Sequence, residues 1–474
     1  MKIHLISLGC DKNLVDSEKM LARLFKSGFE YSELPEDADI IIVNSCAFIG
    51  DAKEESINTI LEMASYKEEG ICKGLIVTGC LAERYRDEVL TEIPEVDAVI
   101  GTNAYQDIEK IARRLCEDAE ACGKDAEEDK NGGIKDFKNL SEIHFREQSE
   151  FGRIVTTGGW YAYLKIAEGC NKRCTYCIIP YLRGPQRSVP MEELCEEARE
   201  LADTGVRELI LVAQETTVYG TDLYGKKMLP ELLRRLSEIE GIKWIRLLYC
   251  YPEEITDELI EAIKDLPKVC HYLDIPIQHA SDNILKNMAR KTTEEEIRER
   301  IESLRRSVPD IALRTTMITG FPGETDEDFE ILYSFVDDME FDRLGVFPYS
   351  REEGTKAASF DDQVPEEIKE KRRDELMLLQ QSIAFEKAEE RVGEIFEVLI
   401  EGRLTEDAFP EDDPLRELFS SGNDNIYIGR TYMDAPSVDG YFFVRAGKRE
   451  LLSGDFVTAR VTKAQGYDLV GELV

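Results

Sequence analysis

The feature that most limits the fold of this 474-residue chain is a repeated alternation of short apolar segments with amphipathic ones. In the first hundred residues, the segments HLISLGC, ADIIIVNSC, GLIVTGC and VDAVIGT are apolar and rich in β-branched residues. Between them lie helical patterns such as SEKMLARLFKSGF and KEESINTILEMAS. This alternation predicts an α/β fold, with a parallel sheet whose strands are joined by crossover helices.

Three of these four predicted strands end in a cysteine, namely Cys10, Cys46 and Cys80. The functional crevice of an open α/β sheet lies outside the carboxyl ends of its strands. A single buried cysteine usually acts as a small apolar side chain, so each of the three has a simple packing interpretation. Three cysteines on successive strands favour a shared set of ligands instead.

A second α/β stretch follows, and its predicted strands are YAYLKIAEG, ELILVAQE, WIRLLYCYP, HYLDIPIQ, IALRTTMITGFPG and RLGVFPYS. Six such units predict a partial (β/α)6 barrel rather than a complete barrel of eight. After a long helical run that ends near Gly393, only short strands occur. This tail predicts a small five-stranded β-barrel of the oligonucleotide-binding type.

The segment EGCNKRCTYC places Cys170, Cys174 and Cys177 within eight positions. A structural zinc site normally takes four ligands, and no second cysteine pair follows here. A cubane iron–sulfur cluster also normally takes four cysteines, so three would leave one iron open for chemistry. The segment directly follows the first strand of the predicted partial barrel. We therefore expect it at the carboxyl-terminal mouth, where such folds build their active sites.

The C-x3-C-x2-C spacing, with Tyr176 before its last cysteine, resembles the radical S-adenosylmethionine signature. With the upstream cysteines and the C-terminal barrel, the chain resembles the methylthiotransferases over essentially its whole length. The segments SLGCDKNLVDSE, NSCAFIGDAKEES, LVAQETTVYGTDLYG, TGFPGETDEDF, YSREEGT and GRTYMDAPSVDG are similar to the RimO branch. That branch methylthiolates one aspartate of small-subunit ribosomal protein S-twelve. An acidic stretch at 117–142 and the insert EDAFPEDDPLRELFSSGNDN are longer than the corresponding segments of the RimO branch.

The resemblance implies an enzyme with S-adenosylmethionine and two 4Fe-4S clusters as cofactors. Cys10, Cys46 and Cys80 would hold one cluster, and Cys170, Cys174 and Cys177 the other, with S-adenosylmethionine on the open iron. The β-carbon of aspartate bears non-acidic C–H bonds, which a general base cannot break at a useful rate. Radical cofactors can, so we assign no catalytic role to acid–base side chains. The alternatives are a transfer RNA adenosine methylthiotransferase and, from another class, a zinc-binding interaction protein.

Further candidates lie at predicted strand ends. Gln214 and Glu215, and also Gly320 and Gly323, are predicted to contact S-adenosylmethionine; turn formation is the alternative for both pairs. Arg183 and Arg187 flank the signature and have the chemistry to bind a carboxylate, with a surface role as the alternative. His279 is read as a packing residue or a ligand.

We divide the chain into a methylthiotransferase domain at 1–116, an acidic linker at 117–155, a radical S-adenosylmethionine domain at 156–388 and a TRAM-like barrel at 389–474. The 59 Lys and Arg against 97 Asp and Glu give a net charge of −38. This charge repels nucleic acids and attracts basic proteins, so we expect the ribosomal protein as partner and no nucleic acid. No signal peptide and no apolar run of ~18 residues occurs, which predicts a cytoplasmic location away from membranes.

Overall fold

The computed structural model describes residues 1–122, 138–139, 152–410, 414–419 and 424–474. These residues form two compact units, which are described separately. Unit one consists of Met1–Thr156, Ala167–Val189 and Ser350–Ala358. Unit two consists of Thr157–Ile166, Pro190–Tyr349 and Ser359–Val474.

The strands, in chain order, are β1 (Lys2–Ser7), β2 (Glu30–Tyr31), β3 (Ile40–Ser45), β4 (Gly74–Gly79), β5 (Ala98–Ile100), β6 (Lys138–Asn139), β7 (Tyr161–Lys165), β8 (Ala167–Glu168), β9 (Arg187–Ser188), β10 (Glu208–Val212), β11 (Trp244–Leu247), β12 (Val269–Gln278), β13 (Ala312–Thr319), β14 (Arg343–Pro348), β15 (Ile395–Leu404), β16 (Ile426–Arg430), β17 (Phe442–Arg445), β18 (Phe456–Gln465) and β19 (Asp468–Leu473). The α-helices are α1 (Asp11–Lys26), α2 (Gly50–Glu68), α3 (Cys80–Arg84), α4 (Arg86–Glu92), α5 (Ile108–Cys122), α6 (Ile179–Arg183), α7 (Met191–Asp203), α8 (Thr221–Tyr224), α9 (Leu229–Ser237), α10 (Asp257–Asp265), α11 (Asp282–Asn287), α12 (Glu294–Ser307), α13 (Asp326–Met339) and α14 (Glu366–Glu390). Short 3-10 helices occur at Pro35–Asp37, Tyr105–Asp107, Pro252–Glu254, Ala357–Ser359, Glu406–Ala408 and Pro414–Phe419. No helix among the described residues is long and apolar enough to cross a membrane.

Unit one is built on a parallel sheet with the strand order β2-β1-β3-β4-β5-β6. Every residue of β3 and β4 is buried, as expected for central parallel strands with helices on both faces. One face packs against apolar residues of α2, α3 and α4, and the other against α1 and α5. The α/β fold predicted from the alternating segments is confirmed.

Unit two contains a second parallel sheet with the order β14-β13-β12-β11-β10-β7. Its six strands are the six predicted from the sequence, so the partial barrel is confirmed. The chain then forms a closed five-stranded barrel in the order β15-β16-β17-β19-β18, which confirms the predicted C-terminal barrel. Barrel residues such as Phe396 and Phe442 share one core with Trp244 and Tyr272 of the sheet.

The predicted acidic linker falls largely on residues 123–137 and 140–151, which lie outside the described residues. Its first part, up to Cys122, continues helix α5. The four-domain division stays a prediction.

A buried charge cluster joins the barrel to the sheet of unit two. Glu208, the first residue of β10, accepts hydrogen bonds from Arg246 and Arg430 at 2.7 Å each. All three side chains are fully buried. Burial acts to raise the pKa of Glu208, but the two guanidiniums outweigh it and hold that pKa below its ordinary value. The carboxylate is therefore ionised and paired at neutral pH.

Replacing Arg430 by methionine should lower the free energy of unfolding of the apoprotein by about 3–5 kcal/mol, because it removes one partner of a buried ion pair. Urea unfolding followed by far-UV circular dichroism measures this loss. Arg460→Met on the exposed face of β18 is the control, with an expected change of about 0.5 kcal/mol or less. Equal effects of the two substitutions would contradict a role of the buried cluster in holding the barrel.

Candidate functional site

The three strand-end cysteines meet at the carboxyl edge of the first sheet. Cys10, Cys46 and Cys80 follow the neighbouring strands β1, β3 and β4. Cys46 and Cys80 are buried, whereas Cys10 is half-buried. The three thiols are close enough to interact electrostatically with one another. The structure thus brings together this first triad, and its role as a ligand set stays a prediction.

The backbone around the first triad is held by close contacts. Gly9 has a φ of 84°, and a Cβ at this position would lie 2.7 Å from the Cβ of Cys46. The loop that carries Cys10 therefore packs directly on Cys46, and only glycine permits this approach. The Asn13 side chain donates hydrogen bonds to the carbonyl oxygens of Leu8 (3.0 Å) and Ser45 (3.1 Å). These bonds fix the ends of β1 and β3 relative to each other.

The second triad, Cys170, Cys174 and Cys177, also belongs to unit one. Cys170 and Cys174 are buried, and the backbone N–H of Lys172 points at the Cys170 sulfur at 3.4 Å. Gly169 has a φ of 81°, and a Cβ there would lie 2.2 Å from the carbonyl oxygen of Pro185. The loop of the second triad therefore packs directly against the chain that enters β9, and β9 pairs with β8. The location of the second triad at the mouth of the partial barrel stays a prediction.

The donor set fits iron–sulfur clusters better than single metal ions. Within the described ranges, no group of three or more His, Cys, Asp or Glu side chains is arranged to hold one metal ion. A cubane cluster makes a different demand, because each cysteine sulfur binds its own iron atom. Burial raises the pKa of the Cys80 thiol to about 12 against the opposing effect of Arg183, with further increases from Cys10 and Cys46. A bound metal deprotonates coordinating thiols outright, and thiolates are the ligands that iron–sulfur clusters take.

Arg183 is a functional candidate whose surroundings the sequence did not reveal. It is the last residue of α6, the helix that follows Cys177, and its side chain is fully buried. It donates hydrogen bonds to Asp16 (2.9 Å) and Glu168 (3.1 Å). It also donates to Asn13, and to the Cys80 sulfur at 3.5 Å. The predicted carboxylate-binding arginine therefore binds carboxylates of its own chain.

Arg187 also makes internal contacts. Its guanidinium donates to the carbonyl oxygens of Arg183 (3.1 Å) and Pro185 (2.8 Å), and to the Asn103 side chain at 3.2 Å. These bonds brace the loop that returns from α6 to β9.

The segment Ser350–Ala358 braces both cysteine-bearing regions of unit one. Buried Glu352 accepts hydrogen bonds from Lys53 and Arg84, each at 2.8 Å. Lys53 lies in the helix after Cys46, and Arg84 ends the helix that begins at Cys80. The backbone N–H of Ala357 donates to the carbonyl oxygen of Thr175, between Cys174 and Cys177. The motif YSREEGT pointed to this segment, but nothing in the sequence indicated its ion-pair partners.

The candidate S-adenosylmethionine contacts belong to unit two. Gln214 and Glu215 follow β10, and buried Glu215 accepts a hydrogen bond from the Thr217 hydroxyl. Gly320 and Gly323 follow β13. A Cβ at Gly320 would lie 2.1 Å from Cγ of Lys369, so packing alone requires this glycine. The structure supplies the turns that were the alternative explanation, and a binding role for these four residues stays a prediction.

His279 lies in a buried polar cluster of unit two. Its Nδ1 accepts a hydrogen bond from the Ser281 backbone at 2.9 Å, so Nε2 carries the proton of the neutral ring. Nε2 lies 3.3 Å from Glu324, which also binds Arg372 at 2.7 Å. His279 is fully buried among these groups, and its role as a packing residue or a ligand stays a prediction.

Comparison with known proteins agrees with this architecture. Residues 2–101 match the Uncharacterized protein family UPF0004, residues 164–336 the Radical SAM superfamily, and residues 415–474 the TRAM domain. A relative from Lachnoclostridium phytofermentans is 58% identical over 99% of both chains. Another, from Acetivibrio thermocellus, is 50% identical over 100% of this chain and 98% of its own. Both are named Ribosomal protein uS12 methylthiotransferase RimO.

The chain belongs to the RimO family. A solved structure shares the fold of this RimO family member at a TM-score of 0.55 and 12% sequence identity. It is a radical S-adenosylmethionine methyltransferase, TsrM, from Kitasatospora setae, with cobalamin and a 4Fe-4S cluster bound. The match covers 84% of this chain and 80% of the other. At this identity the likeness supports the fold, and it agrees with the resemblance found in the sequence.

Proposed function

We propose that this RimO family member transfers a methylthio group to the β-carbon of an aspartate in ribosomal protein uS12. Its cofactors would be S-adenosylmethionine and two 4Fe-4S clusters. The observation that carries the proposal is the full-length identity of 58% and 50% to proteins named for this activity. The two cysteine triads, which both belong to unit one, would supply the ligands that the activity needs.

The residues of the chain have separate tasks in this proposal. When bound, a 4Fe-4S cluster with S-adenosylmethionine supplies the radical chemistry that removes hydrogen from a non-acidic carbon. Cys170, Cys174 and Cys177 would hold that cluster and leave one iron for S-adenosylmethionine. Cys10, Cys46 and Cys80, the first triad, would hold the other cluster.

The names of these relatives favour the ribosomal protein and give no support to the transfer RNA alternative. Charge points the same way. From Glu394 to Val474 the chain has 16 Asp and Glu against 8 Lys and Arg, a net charge of −8. A barrel that binds RNA neutralises phosphates with basic residues, which the acidic residues of this barrel outnumber.

Expression of this chain in a bacterial host that lacks its own enzyme should add one methylthio group to a single aspartate of uS12. Tandem mass spectrometry of the ribosomal proteins measures the modification and its position. Nucleosides from the transfer RNA of the same cells serve as the internal control and should stay unchanged. A methylthio-adenosine in that fraction, with unmodified uS12, would replace the proposal by the transfer RNA alternative.

We further infer that the acidic barrel docks the basic ribosomal protein. Charge complementarity of this kind mainly raises the association rate. Glu406, Asp407 and Glu417 of the insert are exposed, and Glu406 and Glu417 also pair with Arg416 and Lys463. Solubility alone is the alternative explanation for these charges.

The double variant Asp407→Lys/Glu417→Lys should slow association with uS12 by about tenfold at low salt, because long-range attraction is weakened. Stopped-flow fluorescence with labelled uS12 measures the rate. The native rate should fall as salt rises, since the screening length shortens from about 10 Å at 0.1 M to about 3 Å at 1 M. The matched control Glu295→Lys/Glu299→Lys makes the same charge change on α12, also at exposed positions. An equal loss in the control would assign the effect to net charge and refute docking by the barrel.

A further inference from the structure

Helix α6 connects the segment of the second triad to the first triad within unit one. The helix begins at Ile179, soon after Cys177, and its apolar residue Leu182 shares a core with Cys80 and Leu81. Thr102 donates a hydrogen bond to the Leu182 carbonyl oxygen at 3.0 Å and holds the end of the helix. This short, packed helix therefore places Arg183 beside Cys80 in unit one.

The guanidinium of Arg183 has no freedom to turn away from the sulfur. Its Nη1 is held by Asp16 at 2.9 Å and Glu168 at 3.1 Å, and its Nη2 also donates to Asn13. Because a guanidinium is a rigid planar fork, these oxygens fix the direction of the remaining contact. That contact is the Nη2 donation to the Cys80 sulfur at 3.5 Å.

The same guanidinium carries its positive charge against the Cys80 sulfur, at the 3.5 Å of the hydrogen bond from Nη2. Its charge also acts on the Cys46 thiol. The negative charges of Asp16 and Glu168 are directed at the guanidinium, at 2.9 and 3.1 Å from its Nη1.

We propose that Arg183 is a positioning residue that stabilises the reduced form of the cluster held by the first triad, through its fixed hydrogen bond to the Cys80 sulfur. The inference rests on the proposed function, because it requires that cluster. A one-electron reductant, itself oxidised by one electron, would add negative charge to the sulfurs of a cluster held there, and no bond to a cysteine would break. Hydrogen bonds to the sulfurs and a nearby cation stabilise this added charge, which raises the reduction potential.

The test uses a full-length parent in which Cys170, Cys174 and Cys177 are alanine, so that only the first triad can hold a cluster. Two variants are compared with it after reconstitution with iron and sulfide, namely Arg183→Lys and the charge-balanced pair Arg183→Gln/Asp16→Asn. Reductive titration followed by electron paramagnetic resonance gives the midpoint potential. We expect at least a tenfold lower ratio of reduced to oxidised cluster in the pair variant at a fixed potential, which is 59 mV for one electron. Arg183→Lys should shift in the same direction by less, because the ammonium keeps the charge without the fork.

The control is Arg153→Gln/Glu18→Gln, which removes another buried ion pair of unit one. Glu18 lies on α1 as Asp16 does, and Arg153 binds it at 2.5 Å. This control should keep the parent's potential. Unchanged potentials in both Arg183 variants, or an equal shift in the control, would overturn the inference. If circular dichroism shows the pair variant to be unfolded, Arg183→Lys alone decides.

Failure of the proposed function gives a different result in the same experiment. A folded parent that binds no four-iron cluster would refute the proposal that the first triad holds a cluster. If the parent holds a normal cluster and the Arg183 substitutions leave its midpoint potential unchanged, only the role of the arginine is refuted.

Discussion

Replacing Cys174 by alanine should remove about half of the iron from the reconstituted protein and abolish formation of 5′-deoxyadenosine from S-adenosylmethionine. Cys174 belongs to the second triad. A cubane cluster normally takes four cysteines, and the substitution leaves only two of the three that this triad would supply. The two triads share no cysteine, so the first triad should keep its cluster. Iron analysis and chromatography of the reaction products measure the two effects.

The control for this substitution is Cys72→Ala, which removes a buried thiol of unit one outside both triads. The Cys72 sulfur bonds the Gly74 carbonyl oxygen at 3.0 Å, and its loss should leave iron content and product formation unchanged. Both triads lie in one compact unit, so circular dichroism must show that the Cys174 variant stays folded. Complete loss of iron from a folded variant, or no loss at all, would contradict two independent clusters.

Replacing Cys46 by alanine should stop methylthio transfer to uS12 while cleavage of S-adenosylmethionine continues. Cys46 belongs to the first triad, whereas the cleavage is assigned to the second. Alanine keeps the Cβ against which Gly9 packs, and the backbone of Cys46 remains bonded to Ser56 at 2.9 Å. The substitution therefore removes a sulfur without removing the loop that carries it.

Mass spectrometry of uS12 and measurement of 5′-deoxyadenosine in the same reaction separate these outcomes. Cys116→Ala, another buried thiol of unit one, is the matched control and should retain full transfer. Full methylthiolation by the Cys46 variant would return the strand-end cysteines to a packing role.

The two parallel sheets and the closed barrel could be predicted because their signals are local. Alternating apolar and amphipathic segments reveal buried strands and the helices between them. Placing Cys10, Cys46 and Cys80 at one edge needed only the rule that parallel strands end together. The contacts of Arg183 could not be predicted in this way. Asp16 is 167 positions away, and hydrophobic periodicity carries no information about which buried charges meet across such a distance.

The barrel illustrates the same limit. Its five strands were evident from short β-branched segments, but its attachment to the sheet was not. Arg430 and Glu208 are 222 positions apart, and each would pass as an ordinary surface charge in its own strand. The common core with Trp244 also makes the barrel part of unit two rather than an appended module.

The late position of the segment that carries Glu352 affects when unit one can be completed during synthesis on the ribosome. Arg84 and Glu352 are 268 positions apart, although both belong to unit one. At roughly 5–20 residues per second, synthesis of the intervening chain takes about 15–50 s. During that interval the helix after Cys46 and the helix that begins at Cys80 have been synthesised but lack their ion pairs with Glu352. Unit one is therefore complete only after the nine residues Ser350–Ala358 have been synthesised, and insertion of the proposed clusters into the complete unit would be a late event.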